Sequence, residues 1–250
     1  MITKNTLSLY YSKIFTLSFS IILLLSSCTT IGFHKKSIRN QIDFGNPETL
    51  RVCFFKEPDV TQKDIDKIVS AWNKELNLYN ISLENAKTET IKRPGFFNSD
   101  VFFFLFTQKL QPPCDRMVYL RGRTFKDFAF EFVSIGFMLV SGLKLETYGA
   151  VETITNSRGF IRARYMQLFQ SIFTSPKSTM VHEGYHLLGC GHSLTKTKCY
   201  AQIRKLKYLM QTADHENDFF PILTERGKFL SSRDAVNFRM LNYIKQQNQK

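Results

Sequence analysis

A chain of 250 residues with 43% hydrophobic and 14% aromatic residues has enough apolar material for a substantial core, which excludes a disordered protein. Its 34 Lys and Arg against 21 Asp and Glu give a net charge of +13, a balance open to nucleic acid, anionic lipid or an acidic substrate. No RNA- or DNA-binding motif and no long basic block is present, so the excess reads as a solvated basic surface and no nucleic-acid partner is expected.

The first stretch reads as a targeting signal. Lys4 and Lys13 precede an apolar run over residues 14–25, and small residues follow, which is the order of parts in a secretory signal peptide. The run is shorter than the ~20 apolar residues of a membrane span. Leu25-Ser26-Ser27-Cys28 resembles a bacterial lipobox, and the resemblance implies a signal peptide over 1–27 and lipidation of Cys28. Multiple acyl chains would anchor the protein stably to a membrane of the cell envelope, the outer membrane or cell surface rather than the inner one, facing periplasm or exterior. An ordinary cleaved signal and an uncleaved anchor are the alternatives. Loss of residues 1–27 removes two lysines and no acid, leaving +11, so the basic balance is not an artefact of the signal.

Residues 29–47 are polar and aperiodic, so 28–48 is read as the lipidated Cys followed by a flexible tether. The folded domain then covers 49–250, its N-terminal part about 49–189 and its C-terminal part about 190–250. Residues 51–55 form a short apolar run that suits a buried strand. Thr61 and Asp64 make a capping-box-like start for a helix with Ile65, Ile68, Val69, Trp72 and Leu76 at three-and-four spacing. Further strands are expected over 80–83, 101–107 and 117–120, with the phenylalanines of 101–107 in the core. Residues 125–145, broken by Gly136 and Gly142, read as a buried helix or loop-rich cover. Residues 146–155 and 159–165 look like two strands joined by a turn at Asn156, Ser157 and Arg158.

Ser175 before Pro176 is a helix start, since Ser caps and Pro fits the first helical position. The helix runs over about 176–188, with Met180, Leu187 and Val181, Leu188 facing the core. It ends inside residues 182–192, which read His-Glu-Gly-Tyr-His-Leu-Leu-Gly-Cys-Gly-His. On a helix His182 and His186 lie one turn apart on one face, close enough to hold one ion. Gly189 can take a positive φ cheaply and turn the chain back so that His192 approaches them. Three neutral imidazoles plus a water make a zinc site with an open position, the arrangement of catalytic zinc. Glu183 beside them is the candidate general base. Requiring Gly and a third His at fixed offsets cuts the chance rate of the shorter His-Glu-x-x-His pattern by roughly a thousandfold, given 12 glycines and five histidines. The bland alternative is a helix with surface histidines and no metal.

This string resembles the long zinc-binding motif of the metzincin metallopeptidases, and Ser193 after the third histidine is similar to the matrixin branch. The resemblance implies an α+β fold: a mixed twisted sheet with an antiparallel edge strand, an active-site helix below the cleft, and a small C-terminal subdomain ending in a helix. One of the two strands over 146–165 would be that edge strand, pairing with an extended substrate, an ordinary hairpin being the alternative. A methionine in a tight turn beneath the metal is a further family mark, and Met210 is the candidate, against the alternative of a core-filling methionine. The ending, with Val236, Met240, Leu241 and Tyr243 on a helix, is similar to that of matrixins.

If Cys28 is lipidated, Cys53, Cys114, Cys190 and Cys199 remain, enough for two bridges in an exported protein. Cys190 with Cys199 is the favoured pair because it would staple the loop after the third ligand, and free thiols are the alternative. The function expected is that of a zinc metallopeptidase: an endopeptidase with one catalytic zinc ion, a peptide or protein substrate, and a monomeric form. Two other readings stay open, a non-catalytic metal-binding surface lipoprotein and a zinc hydrolase of a non-peptide substrate.

Overall fold

The computed structural model describes residues 31–141, 147–164, 175–212 and 218–249, so the expected signal segment and Cys28 lie outside the described residues. The apolar run expected as a strand is β1, Glu48–Lys56, and it is buried on both sides. Its even residues Leu50, Val52 and Phe54 join one core cluster while Cys53 and Phe55 join or pack against a second, the alternation of a strand with both faces covered. β2 (Ile81–Thr90) and β3 (Arg116–Arg121) pair with it in parallel. β5 (Arg158–Arg162) pairs in parallel with β3, and β4 (Gly149–Val151) runs antiparallel to β5. The order is β2-β1-β3-β5-β4, so the one antiparallel strand is an edge strand.

One face of this sheet is covered by two helices, α2 (Gln62–Leu76) and α5 (Pro176–Leu187). The start of α2 is the expected capping box: Thr61 accepts from the backbone of Asp64, and the Asp64 carboxylate accepts from the backbone of Thr61. Ile65, Ile68, Trp72 and Leu76 are buried at helical spacing. The other face carries α3 (Asn98–Thr107), and the last helix, α7 (Arg233–Gln247), adds Val236 to the same cluster. Between them lie α1 (Lys36–Arg39), α4 (Phe125–Ser141), α6 (Thr197–Thr212) and a two-stranded antiparallel ribbon, β6 (Ile222–Leu223) with β7 (Phe229–Leu230). Among the described residues the architecture is thus mixed α/β, with seven α-helices, a five-stranded and mostly parallel sheet, and a small second sheet.

Three expectations are corrected. Residues 101–107 are helical, within α3, although their phenylalanines favour strands. The run has no alternation to exploit, Val101 and Leu105 are buried one turn apart, and Asp100 caps the start by accepting from the Phe97 backbone at 2.9 Å. The segment read as a tether is packed down over its described part: Ile31 and Phe44 are buried, and Phe33 bridges to Thr195 through backbone bonds with Leu194 and Lys196, both 3.1 Å. Its polar composition hid these few anchors. Residues 125–141 form a helix, α4, but its described buried side chains are polar: Asp127, Glu131 and Ser134 point inward while Phe125, Phe128 and Phe132 are exposed.

Candidate metal centre

The site is built on α5. Ser175 accepts from the backbone of Ser178 at 3.1 Å and Pro176 opens the first turn, so the sequence sets where the helix begins. Met180 and Leu187 are fully buried and Leu188 follows them into the core, while Val181 packs against it from the margin. Gly184 lets α5 lie close to α2, since a Cβ there would come within 2.2 Å of the Trp72 indole nitrogen. The helix ends in a Schellman turn: the Cys190 N–H donates to Tyr185 O at 2.9 Å and the Gly189 N–H to His186 O at 2.8 Å. Gly189 has φ +81° there, as the sequence predicts, and a side chain at that position would strike the Leu223 carbonyl.

That turn brings the third histidine round. Ring centroids lie 5.0 Å apart for His182 and His186, 5.1 Å for His182 and His192, and 4.8 Å for His186 and His192. One nitrogen from each ring lies within 4.8 Å of the others, a group that could hold a metal ion. The His186 Nδ1–H donates to the Cys190 carbonyl at 2.7 Å, which leaves Nε2 as the nitrogen for an ion and fixes the ring. Burial lowers the pKa of His182 to about 4, helped by the neighbouring His186, His192 and Lys196. Burial lowers that of His186 too, although the bond to Cys190 opposes it. Both rings are therefore neutral, as ligation requires, at neutral pH.

Glu183 is buried beside them, and burial alone raises its carboxyl to about pKa 8. Gly149, on edge strand β4, sits directly against it. The loop holding His192 is fastened by the Cys190–Cys199 disulfide, which ties it to α6. The other two cysteines among the described residues, Cys53 and Cys114, form a second bridge.

Met210 does not stand in the tight turn expected of it. It lies in the last turn of α6, in helical rather than tight-turn conformation, and packs partly buried against the main core. The residue against the Gly189 turn is Leu223, whose carbonyl also accepts from Asn156 at 3.0 Å. The long spacing from His192 to Met210 is filled by α6 itself, a helix the sequence reading did not assign.

Two supports were missed. Arg116, fully buried on β3, donates to Leu187 O at 2.8 Å, satisfying a carbonyl at the end of α5, and also to the carbonyls of Phe220 and Pro221. Behind the helix, Tyr185 donates to Glu75 and bonds Tyr79 at 2.7 Å, while Lys196, four residues after His192, reaches Glu75 and Tyr185 at 3.1 Å each. His34 joins the same carboxylate at 2.7 Å. Burial works against ionisation of Glu75, yet these donors hold its pKa below the usual value. Isolated Arg, Glu and Lys residues carry no periodic signal, so only the fold reveals that they meet.

The chain matches no protein-family model and no curated protein.

Proposed function

We propose that the chain is a zinc-dependent endopeptidase of the metzincin kind, matrixin-like at Ser193, acting on peptide or protein substrates. The observation that carries this reading is the convergence of His182, His186 and His192 next to the buried carboxyl of Glu183. The antiparallel edge strand β4, against which α5 packs through Gly149 and Glu183, supports it. The donor set fits zinc: three imidazoles, one with its second nitrogen already bonded to a carbonyl, and one, His192, exposed enough to admit solvent.

When bound, zinc supplies Lewis acidity, lowering the pKa of a water from about 15.7 towards 7 and polarising a carbonyl oxygen. Glu183 then does the proton work. A cation held by the three histidines would favour the ionised form of Glu183 that burial opposes, and that carboxylate would take a proton from the attacking water and hand it to the leaving amine nitrogen. Its burial keeps bulk water from competing for that proton, and Gly149 keeps the carboxyl at the boundary between α5 and the edge strand. Among the described residues no strand pairs with the outer edge of β4, whose backbone groups would be offered to an extended substrate and would align the scissile bond along α5. The reading includes a monomeric enzyme, held by a lipidated Cys28 on the envelope of a bacterial cell.

The test is cleavage of a peptide library by the zinc-loaded protein, with and without a chelator. Cleavage that chelation abolishes and zinc restores is expected. Zinc binding without cleavage of any peptide would favour the non-catalytic lipoprotein, and turnover confined to non-peptide esters or amides would favour the other hydrolase.

A further inference from the structure

Helix α4 is inverted relative to the rule for a surface helix. Among the described side chains of α4, those it buries are Asp127, Glu131 and Ser134, all polar, at a spacing of four and three residues. They face a cluster of arginines: Arg93 and Arg121 bond Asp127 at 2.8 Å, Arg162 bonds Glu131 at 2.7 Å, and Arg123 reaches Glu131 at 3.1 Å. The outward face carries Phe125, Phe128, Phe132 and Val133, exposed by 84%, 44%, 69% and 63%. These residues recur at helical spacing and make one apolar stripe, which a monomer in water leaves uncovered.

The charge around the stripe identifies its occupant. Both acids of α4 are turned inward and neutralised, so its outer face presents no negative charge. Lys126 is exposed beside Phe125, while the Arg123 guanidinium, paired inward with Glu131, lies 5.3 Å from the Phe128 ring centroid. Exposed aromatic side chains beside a lysine, on a helix face without acids, suit the boundary between lipid headgroups and acyl chains, where rings sink in and a long basic side chain reaches phosphates. A protein partner would need a complementary groove, whereas a bilayer needs only the stripe. Among the described residues no helix is long and apolar enough to cross a membrane, so α4 would lie in the surface rather than span it.

We infer that α4 is an interfacial helix that seats the domain on an anionic lipid surface through Phe125, Phe128 and Phe132. The buried arginine cluster holds its acids away from the headgroups. This inference stands apart from the peptidase reading, and either can fail without the other.

The test uses the chain's single tryptophan, Trp72, which is buried, as an internal background. Full-length protein carrying Phe132→Trp is mixed with vesicles of phosphatidylcholine and phosphatidylglycerol bearing brominated acyl chains. The expected result is a blue shift and loss of the introduced indole's emission, since interfacial helices bury their apolar face by about 5–10 Å. The parent protein should show no such loss, and quenching should weaken when phosphatidylglycerol is left out. Phe125→Trp, at a still more exposed position, repeats the measurement should the first variant fold poorly. An introduced indole that stays unquenched overturns the inference, as does one shielded without vesicles in a protein that sediments as a dimer. Equal quenching in purely neutral vesicles overturns the anionic part of it.

Discussion

A Cβ added to Gly149 on β4 would lie 2.7 Å from Cγ of Glu183 on α5, and equally close to the Thr179 methyl carbon. The edge strand and the candidate base are thus in contact only because position 149 lacks a side chain. Gly149→Ala must push Glu183 aside, and a displacement of about 1 Å can cost 10²-fold in rate. We expect peptide hydrolysis to fall by that order, zinc content to stay at one ion, and stability to drop by about 1–3 kcal/mol. Gly191→Ala is the control, because a Cβ there meets nothing within 4 Å. Equal activity in the two variants would refute the contact's importance.

The 2.7 Å bond from His186 to the Cys190 carbonyl makes the second prediction. Cys190 is bridged to Cys199, so opening that bridge frees the carbonyl that orients the ring. Loss of such an outer partner typically weakens metal binding by 10–100-fold. The double variant Cys190→Ser, Cys199→Ser should therefore weaken zinc binding by about tenfold in a chelator competition. Removing Cys53–Cys114 should cost about 2–5 kcal/mol of stability and leave zinc affinity unchanged. Identical zinc affinities in both double variants would break the link between bridge and ligand.

The site was more legible in the sequence than the fold around it, for physical reasons that differ by residue. His182, His186, Gly189 and His192 occupy fixed offsets, so helix periodicity and one positive φ suffice to bring them together. The cap Ser175–Pro176 and the capping box of Thr61 and Asp64 are likewise local chemistry. Residues 101–107 were misread because a short apolar run suits helix and strand alike, and packing against Phe160 decides. Met210 was misplaced because nothing in its neighbours distinguishes a turn methionine from one on a helix. Buried cations such as Arg116 and Lys196 look like surface residues until carbonyls and carboxylates from distant segments surround them.

Asp127 gives a prediction in pH. Burial opposes its ionisation, but donors from Thr124 and Arg93 outweigh this and bring its pKa down to about 2, from 3.8. A depressed carboxyl pKa contributes stability above the unfolded value and loses it as pH falls through the folded one. Between pH 4 and pH 2, urea unfolding should show the native protein losing about 2 kcal/mol more than Asp127→Asn. At pH 7 the variant should be weaker by about 3–5 kcal/mol, because Arg121 and Arg93 lose a buried partner. Parallel stability curves for the two proteins across the acid range would count against the assignment.

The final prediction separates holding the ion from using it. Glu183 is adjacent to two ligands but offers no atom to the three-histidine group, so Glu183→Gln should keep zinc in near-stoichiometric amount. Gln is similar in shape and cannot accept the water's proton, and a general base contributes about 10²–10⁴ in rate, so hydrolysis should fall within that range. His186→Ala removes a ligand and the anchored ring together, so zinc and activity should disappear in parallel. Metal analysis of the purified variants beside their cleavage rates decides between the roles. Full activity in Glu183→Gln would remove the base from the mechanism, and zinc retained at full affinity in His186→Ala would remove that ring from the site.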